Sequence, residues 1–217
     1  MSKARHDNAL LDPEDALVLL IDHQSGLLQT VKDIGLAELR TNATALAKVA
    51  TLMNIPVVTT ASVPEGPNGP LISDISQHAP HAVYVPRQGE VNAWDNQEFV
   101  RAVHNTGKQT LLIAGIWTSV CVAFPAISAR AEGYRVYAVI DASGDMSWMA
   151  SQITMARLTQ AGVIPISTNA VIADLQKTWN RPDAMEFAAL YAEFAPSYRA
   201  VLESYRQALD VGSQTEN

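Results

Sequence analysis

The chain has 217 residues, 48% hydrophobic and 17% charged, so it can bury a substantial core and does not have the composition of a disordered polypeptide. A formal net charge of −7 argues against nucleic acid or an anionic membrane as partner, because both demand clustered Lys and Arg. The single cysteine rules out an intrachain disulfide, no apolar run approaches bilayer length, and residues 1–7 lack the apolar core of a signal peptide, so a cytoplasmic protein is expected.

Residues 1–11 read as a flexible lead-in. Residues 16–21 are apolar at every position, as a strand covered on both faces must be, and end in Asp22-His23-Gln24-Ser25-Gly26. A helix is predicted over 36–53, where Leu36, Leu39, Ala43, Leu46, Ala50 and Met53 step by three and four along one buried stripe; Asn54 and Pro56 stop it. Residues 57–60 form the second strand. Gly66-Pro67-Asn68-Gly69-Pro70 can only be loop. A short third strand over 82–85 leads into the loop 86–95, and a helix over 96–105 is closed by Gly107.

Strand four is predicted over 110–114, with Gly115 ending it. A helix over 120–132 follows, carrying Cys121 at its start, Pro125 within or just after the first turn, and Gly133 beyond its end. Strand five (136–140), a helix (147–161), strand six (163–167) and a helix (170–179) continue the alternation. Residues 183–209 read as a C-terminal extension of two helical pieces parted near Pro196, and 211–217 as a polar tail. The pattern predicts one domain over 1–217: a doubly wound α/β fold whose six-stranded parallel sheet, with helices on both faces, has the order 3-2-1-4-5-6. That order sets strands one and four side by side. Asp22 and Cys121 then meet at the carboxyl edge, at the switch point where ligands bind in such sheets.

A helix N-terminus and a nearby cation lower a thiol pKa and supply N–H groups for an oxyanion. Cys121 has the first of these, although packing as a small hydrophobe accounts for it equally well. Asp22 alone reads as a turn aspartate, and beside Cys121 as a general base. Arg87 alone reads as a solvated loop arginine.

Leu19-Leu20-Ile21-Asp22-His23-Gln24 together with Gly115-Ile116-Trp117-Thr118-Ser119-Val120-Cys121-Val122 resembles the isochorismatase-like cysteine hydrolase family. Gly66-Pro67-Asn68-Gly69-Pro70, Asn92-Ala93-Trp94-Asp95-Asn96 and Cys121-Val122-Ala123-Phe124-Pro125-Ala126 bring the resemblance nearest to its YcaC-type subgroup, over about residues 11–205. The resemblance implies an Asp–Lys–Cys triad with Asp22 as base and Cys121 as nucleophile. Arg87 stands at the lysine position, as in that subgroup. Arginine stays protonated, so it can stabilise a thiolate or oxyanion but cannot shuttle a proton, which leaves proton transfer to Asp22 and water. The resemblance further implies a cis peptide between Ile116 and Trp117, an oxyanion hole from the N–H groups of Trp117 and Cys121, and assembly as a homo-oligomer, an octamer.

The metal-binding Asp/His cluster of the nicotinamidase branch has no counterpart in residues 61–71. His23, His78, His81 and His104 lack ligand spacing, and His23 should point away from Asp22's side of the chain, so neither metal nor cofactor is expected. Gln24, Asn92, Trp94, Thr118 and Phe124 are assigned to a substrate pocket. Trp94 and Trp117 read equally as pocket wall or packing, Asn92 as substrate contact or loop closure, and Trp148 as packing. The expected function is hydrolysis of a C–N bond in a small-molecule substrate through a thioester. The alternative is a thiolate-bearing binding or electrophile-trapping protein with negligible turnover.

Overall fold

The computed structural model describes residues 10–215, so most of the lead-in and the last two tail residues lie outside the described residues. The chain divides into two compact units, residues 1–177 and 178–217.

The first unit is built on a six-stranded, all-parallel sheet in the order β3-β2-β1-β4-β5-β6. The strands are β1 (Ala16–Ile21), β2 (Val57–Ser62), β3 (Val83–Arg87), β4 (Thr110–Gly115), β5 (Arg135–Val139) and β6 (Ile164–Ile166). Every residue of β1 and β4 is buried, which is why both are apolar throughout rather than alternating. Seven helices accompany the sheet: α1 (Ser25–Leu28), α2 (Leu36–Leu52), α3 (Ser73–His78), α4 (Gln97–Asn105), α5 (Ala123–Ala131), α6 (Trp148–Gln160) and α7 (Thr168–Gln176). Leu17, Leu19 and Ile21 of β1 and Leu111 and Ile113 of β4 form one core cluster with Phe99 and Val103 of α4, Ala126 of α5 and Leu158 of α6. Alternate strand residues point to the opposite face. There α2 buries Leu39, Ala43, Leu46 and Ala50 and contacts β1 and α7.

The second unit comprises α8 (Ala184–Phe194) and α9 (Pro196–Thr215) with the segment leading into them. Trp179, Tyr191 and Tyr198 pack ring against ring, and the Arg181 guanidinium lies over Phe187.

Several boundaries differ from expectation for local reasons. β2 and β3 run further, pairing Ser62 with Arg87, so Arg87 belongs to a strand rather than to a loop. α7 starts earlier because Thr168 donates its N–H and hydroxyl to Asp141, and it ends at Gln176 because Lys177 turns to φ 61°. α9 continues to Thr215 where a polar tail was expected. The helices α1 and α3 are too short to show a period and were not predicted. Among the described residues no helix is long and apolar enough to cross a membrane.

Candidate active site

The site starts from the close approach of β1 and β4. Ile21 pairs with Gly115, and a Cβ on Gly115 would lie 2.4 Å from the Ile21 carbonyl oxygen, so the strands can sit this close only with glycine here. Beyond β4, the Ile116 N–H donates back to the same carbonyl at 3.1 Å. Beyond β1, the Asp22 N–H donates to Thr60 O of β2 at 2.9 Å, and Asp22 adopts φ 57°. Aspartate tolerates this left-handed conformation better than most non-glycine residues.

Arg87, the last residue of β3, reaches into the same place. Its Nε donates to Thr60 Oγ1 at 3.1 Å, its Nη1 to the Glu90 and Val91 carbonyls, and its Nη2 to Asp22 Oδ2. The Arg87 and Asp22 side chains are 0% and 1% exposed. Arg87 is therefore a buried counter-ion, and its reading as a solvated loop arginine is corrected. A buried pair of this kind persists only with its remaining donors satisfied, and the four acceptors around Arg87 do that. Asp22 keeps one oxygen in reserve: Oδ1 is buried and accepts no hydrogen bond.

Cys121 completes the group. The Ile116–Trp117 peptide is cis. Residues Thr118–Val122 then form a π-helical turn that runs into α5, so the helix starts earlier than the expected residue 120. Burial pushes the Cys121 thiol well above its ordinary pKa, and the charge of the nearby Asp22 carboxylate pushes the same way. The Arg87 charge and the Trp117 N–H, which is directed at the sulfur, pull it down without overcoming burial. The expected helix-terminal lowering is thus reversed. Burial is the main cause; in addition, the N–H groups opening this turn have other partners, Thr118 N–H donating to Gly144 O at 2.9 Å and Ser119 N–H to Asp145 Oδ2 at 2.8 Å. The Cys121 N–H is likewise taken, by Trp117 O at 2.8 Å. Of the two expected oxyanion-hole donors, only the Trp117 N–H is free of a protein oxygen.

The assigned pocket residues separate on inspection. Gln24 is fully buried and clamps the loop after β2: its Oε1 accepts from Ser62 N–H at 3.0 Å, and its Nε2 donates to Ser62 O and Gly69 O. With every amide group engaged, it has nothing to offer a substrate. Asn92 closes its own turn, accepting from Trp94 N–H and donating to Asp95 and to Ser128 of α5. Trp94 lies in the core, edge-on to Phe99 and Tyr134, with its indole N–H on Glu132 at 2.8 Å. The described contacts of these three are structural ones. Phe124 is half-buried beneath the Arg157 guanidinium, 5.4 Å from the ring centre. The half-buried Trp117 indole donates to Thr30 Oγ1 at 2.6 Å. Thr118 is buried in the turn that carries Cys121, and its hydroxyl has no partner.

His23 is directed away from the site, its Nε2 donating to Ala142 O at 2.9 Å. Among the described residues, no group of three or more His, Cys, Asp or Glu could hold a metal ion. Sequence reasoning missed Thr60, which holds Arg87 Nε, and Asp145, which holds Ser119. A threonine within β2 and an aspartate after β5 were the only signals for them.

Residues 16–170 match the family model described as Isochorismatase domain. The chain is 44% identical over 195 residues to the Escherichia coli protein named probable hydrolase YcaC, covering 90% of this chain and 93% of that one. The solved structure of Escherichia coli YcaC, described as an octameric hydrolase of unknown specificity, superposes with a TM-score of 0.90 at 42% identity, covering 93% of this chain and 98% of that chain. YcaC from Pseudomonas aeruginosa, solved with hexane-2,5-diol and covalent acrylamide, superposes with a TM-score of 0.88 at 42% identity, covering 91% and 97%.

Proposed function

The chain belongs to the isochorismatase domain family, and we propose that within it the protein is a cysteine hydrolase that opens the C–N bond of a small amide through a thioester on Cys121. One observation carries this reading: Cys121 lies beside a buried carboxylate, Asp22, whose Oδ2 is held by Arg87 and whose Oδ1 has no partner of its own. Asp22 Oδ1 takes the thiol proton as sulfur attacks the carbonyl carbon. The Trp117 N–H receives the developing oxyanion. Asp22 returns the proton to the amine as the C–N bond breaks. Asp22 then takes a proton from water as it attacks the thioester, and the acid leaves with the thiol restored. Arg87 fixes Asp22 throughout and relays no proton.

The test is incubation with a panel of small amides and N-carbamoyl compounds. Amine release that disappears in Cys121→Ser is the expected outcome. No turnover with any of them, or turnover that survives Cys121→Ser, would sink the reading.

A second reading is a thiol that traps electrophiles with negligible release. It is supported by Arg87, which supplies no second proton carrier, and by the covalent acrylamide of the Pseudomonas aeruginosa relative. The thiol's raised pKa weighs against it, because a trap works best as a resting thiolate. A stable mass adduct on Cys121 without product release would favour it.

For assembly we propose a homo-oligomer, an octamer like the Escherichia coli relative. Met146, Trp148, Met149 and Ile153, at and just before α6, expose apolar surface that an interface would cover. A monomer in sedimentation would remove this proposal.

A further inference from the structure

We propose that Asp145 is the positioning residue for Cys121, acting through Ser119; this rests on reading Cys121 as the nucleophile. Asp145 is fully buried. No cation pairs with it among the described ion pairs; its carboxylate is satisfied instead by donors of the turns around it. Oδ2 accepts from Ser119 N–H at 2.8 Å, and Oδ1 from Ser119 Oγ at 3.1 Å and Met146 N–H at 2.9 Å. Its backbone ties in the segment after α1: Asp145 N–H donates to Asp33 Oδ1 at 2.7 Å, and Lys32 N–H donates to Asp145 O at 2.8 Å. The neighbouring Gly144 carbonyl accepts from Thr118 N–H at 2.9 Å.

Asp145 therefore joins the segments that follow β1, β4 and β5, the first through its backbone and the other two through its carboxylate. It seizes the nucleophile turn two residues before Cys121, at the N–H groups that open it. Ser119 is gripped by both backbone and side chain, which fixes the turn in rotation as well as position. The sulfur is thereby held between the Asp22 carboxylate, which receives its proton, and the Trp117 N–H. A misplacement of about 1 Å in such a group costs on the order of 100-fold in rate.

The test compares Asp145→Ala, Asp145→Asn and a remote core control, Val103→Ala in α4, in the full chain. Two probes are used: the Cys121-dependent burst of nitrophenolate from p-nitrophenyl acetate, and the rate at which native Cys121 reacts with the bulky disulfide dithiobis(nitrobenzoic acid). In Asp145→Ala the burst slows by about 100-fold, as expected for a displaced nucleophile. The disulfide reaction speeds up by about tenfold, the effect of one lost hydrogen bond on local opening. Asparagine keeps an acceptor for Ser119 N–H and a polar partner for Ser119 Oγ but turns its amide nitrogen toward Met146 N–H, so it falls between wild type and the alanine variant on both. Val103→Ala loses thermal stability but shows neither change, because general loosening does not slow one reaction while speeding the other. If the alanine variant does not fold, Asp145→Glu, which keeps the charge but moves it by one methylene, is held to the same outcomes. An unchanged burst in Asp145→Ala, or a disulfide rate no higher than in Val103→Ala, overturns the proposal. A wild-type protein without a burst sinks the thioester reading instead, and the disulfide rates alone then decide whether Asp145 positions the thiol.

Discussion

Arg87 and Asp22 form an ion pair sealed from solvent at the carboxyl edge of the sheet, joining the end of β3 to the residue after β1. The pair splits the two carboxylate oxygens between jobs. Oδ2 is bound to the guanidinium, and Oδ1 is left without a hydrogen-bond partner.

Removing the cation from such a pair strands the anion. Arg87→Ala should therefore destabilise the protein by about 3–5 kcal/mol, the usual cost of an uncompensated buried charge. Arg87→Lys keeps the charge but cannot reach Thr60, Glu90, Val91 and Asp22 together, so its loss should be smaller, about 1–3 kcal/mol. Urea unfolding of both variants checks this. An alanine variant within about 1 kcal/mol of wild type would show that solvent already reaches the pair.

Asp22→Asn should move two observables in opposite senses. The Asp22 carboxylate raises the thiol pKa and the Arg87 charge lowers it. Deleting the carboxylate removes the first influence and frees the second, so the thiol pKa falls, and alkylation of Cys121 at neutral pH becomes faster. Turnover nevertheless drops by about 10²–10⁴-fold, the contribution of a positioned general base. The rate of alkylation against pH, measured beside amide turnover, reads both. A thiol pKa that stays put or rises in Asp22→Asn contradicts the described contact.

The fold was legible where one physical constraint dominates. β1 and β4 are apolar on both faces because they are central, and the alternation of strand and helix left few topologies, which is how Asp22 and Cys121 could be paired across the chain. The site was less legible where a side chain's partner comes from a distant segment. Arg87 taken alone reads as a loop residue, because nothing near it in sequence shows Asp22 or Thr60. Gln24 and Trp94 flank the site in sequence, but their polar groups are consumed by Ser62, Gly69 and Glu132. The raised thiol pKa was hidden for the same reason: it comes from burial and from the Asp22 carboxylate, neither of which is visible from the residues around Cys121 in sequence.

Gly115 allows a test of how tightly the two central strands must approach. An alanine Cβ at this position meets the backbone oxygen of Ile21 at 2.4 Å, and a backbone atom of a fully buried strand cannot swing aside as a side-chain tip could. Gly115→Ala should cost about 1–3 kcal/mol or more, the range for overpacking a core. It should also cut turnover, since Ile21 and Gly115 lead directly into Asp22 and the turn that carries Cys121. A variant with wild-type melting behaviour would mean that β1 and β4 can separate freely, against the observed pairing.

His23 predicts an acid limit to stability. Its imidazole is buried, donates from Nε2 to Ala142 O, and has no partner at Nδ1, so it folds as the neutral form. Burial lowers its pKa from the ordinary 6.5, against smaller opposing effects of the Ala142 hydrogen bond and the Asp22 charge. Below pH 6.5 the unfolded chain binds a proton that the folded chain refuses, so stability is lost as pH falls from 6.5 toward the folded pKa and levels off beneath it. Within that window the slope approaches about 1.4 kcal/mol per pH unit. His23→Gln keeps an N–H for Ala142 and removes the titration, so its unfolding free energy should be flatter over the same range. Urea midpoints measured for both proteins from neutral to mildly acidic pH make the comparison, and an equal decline in His23→Gln would assign the acid sensitivity to another group.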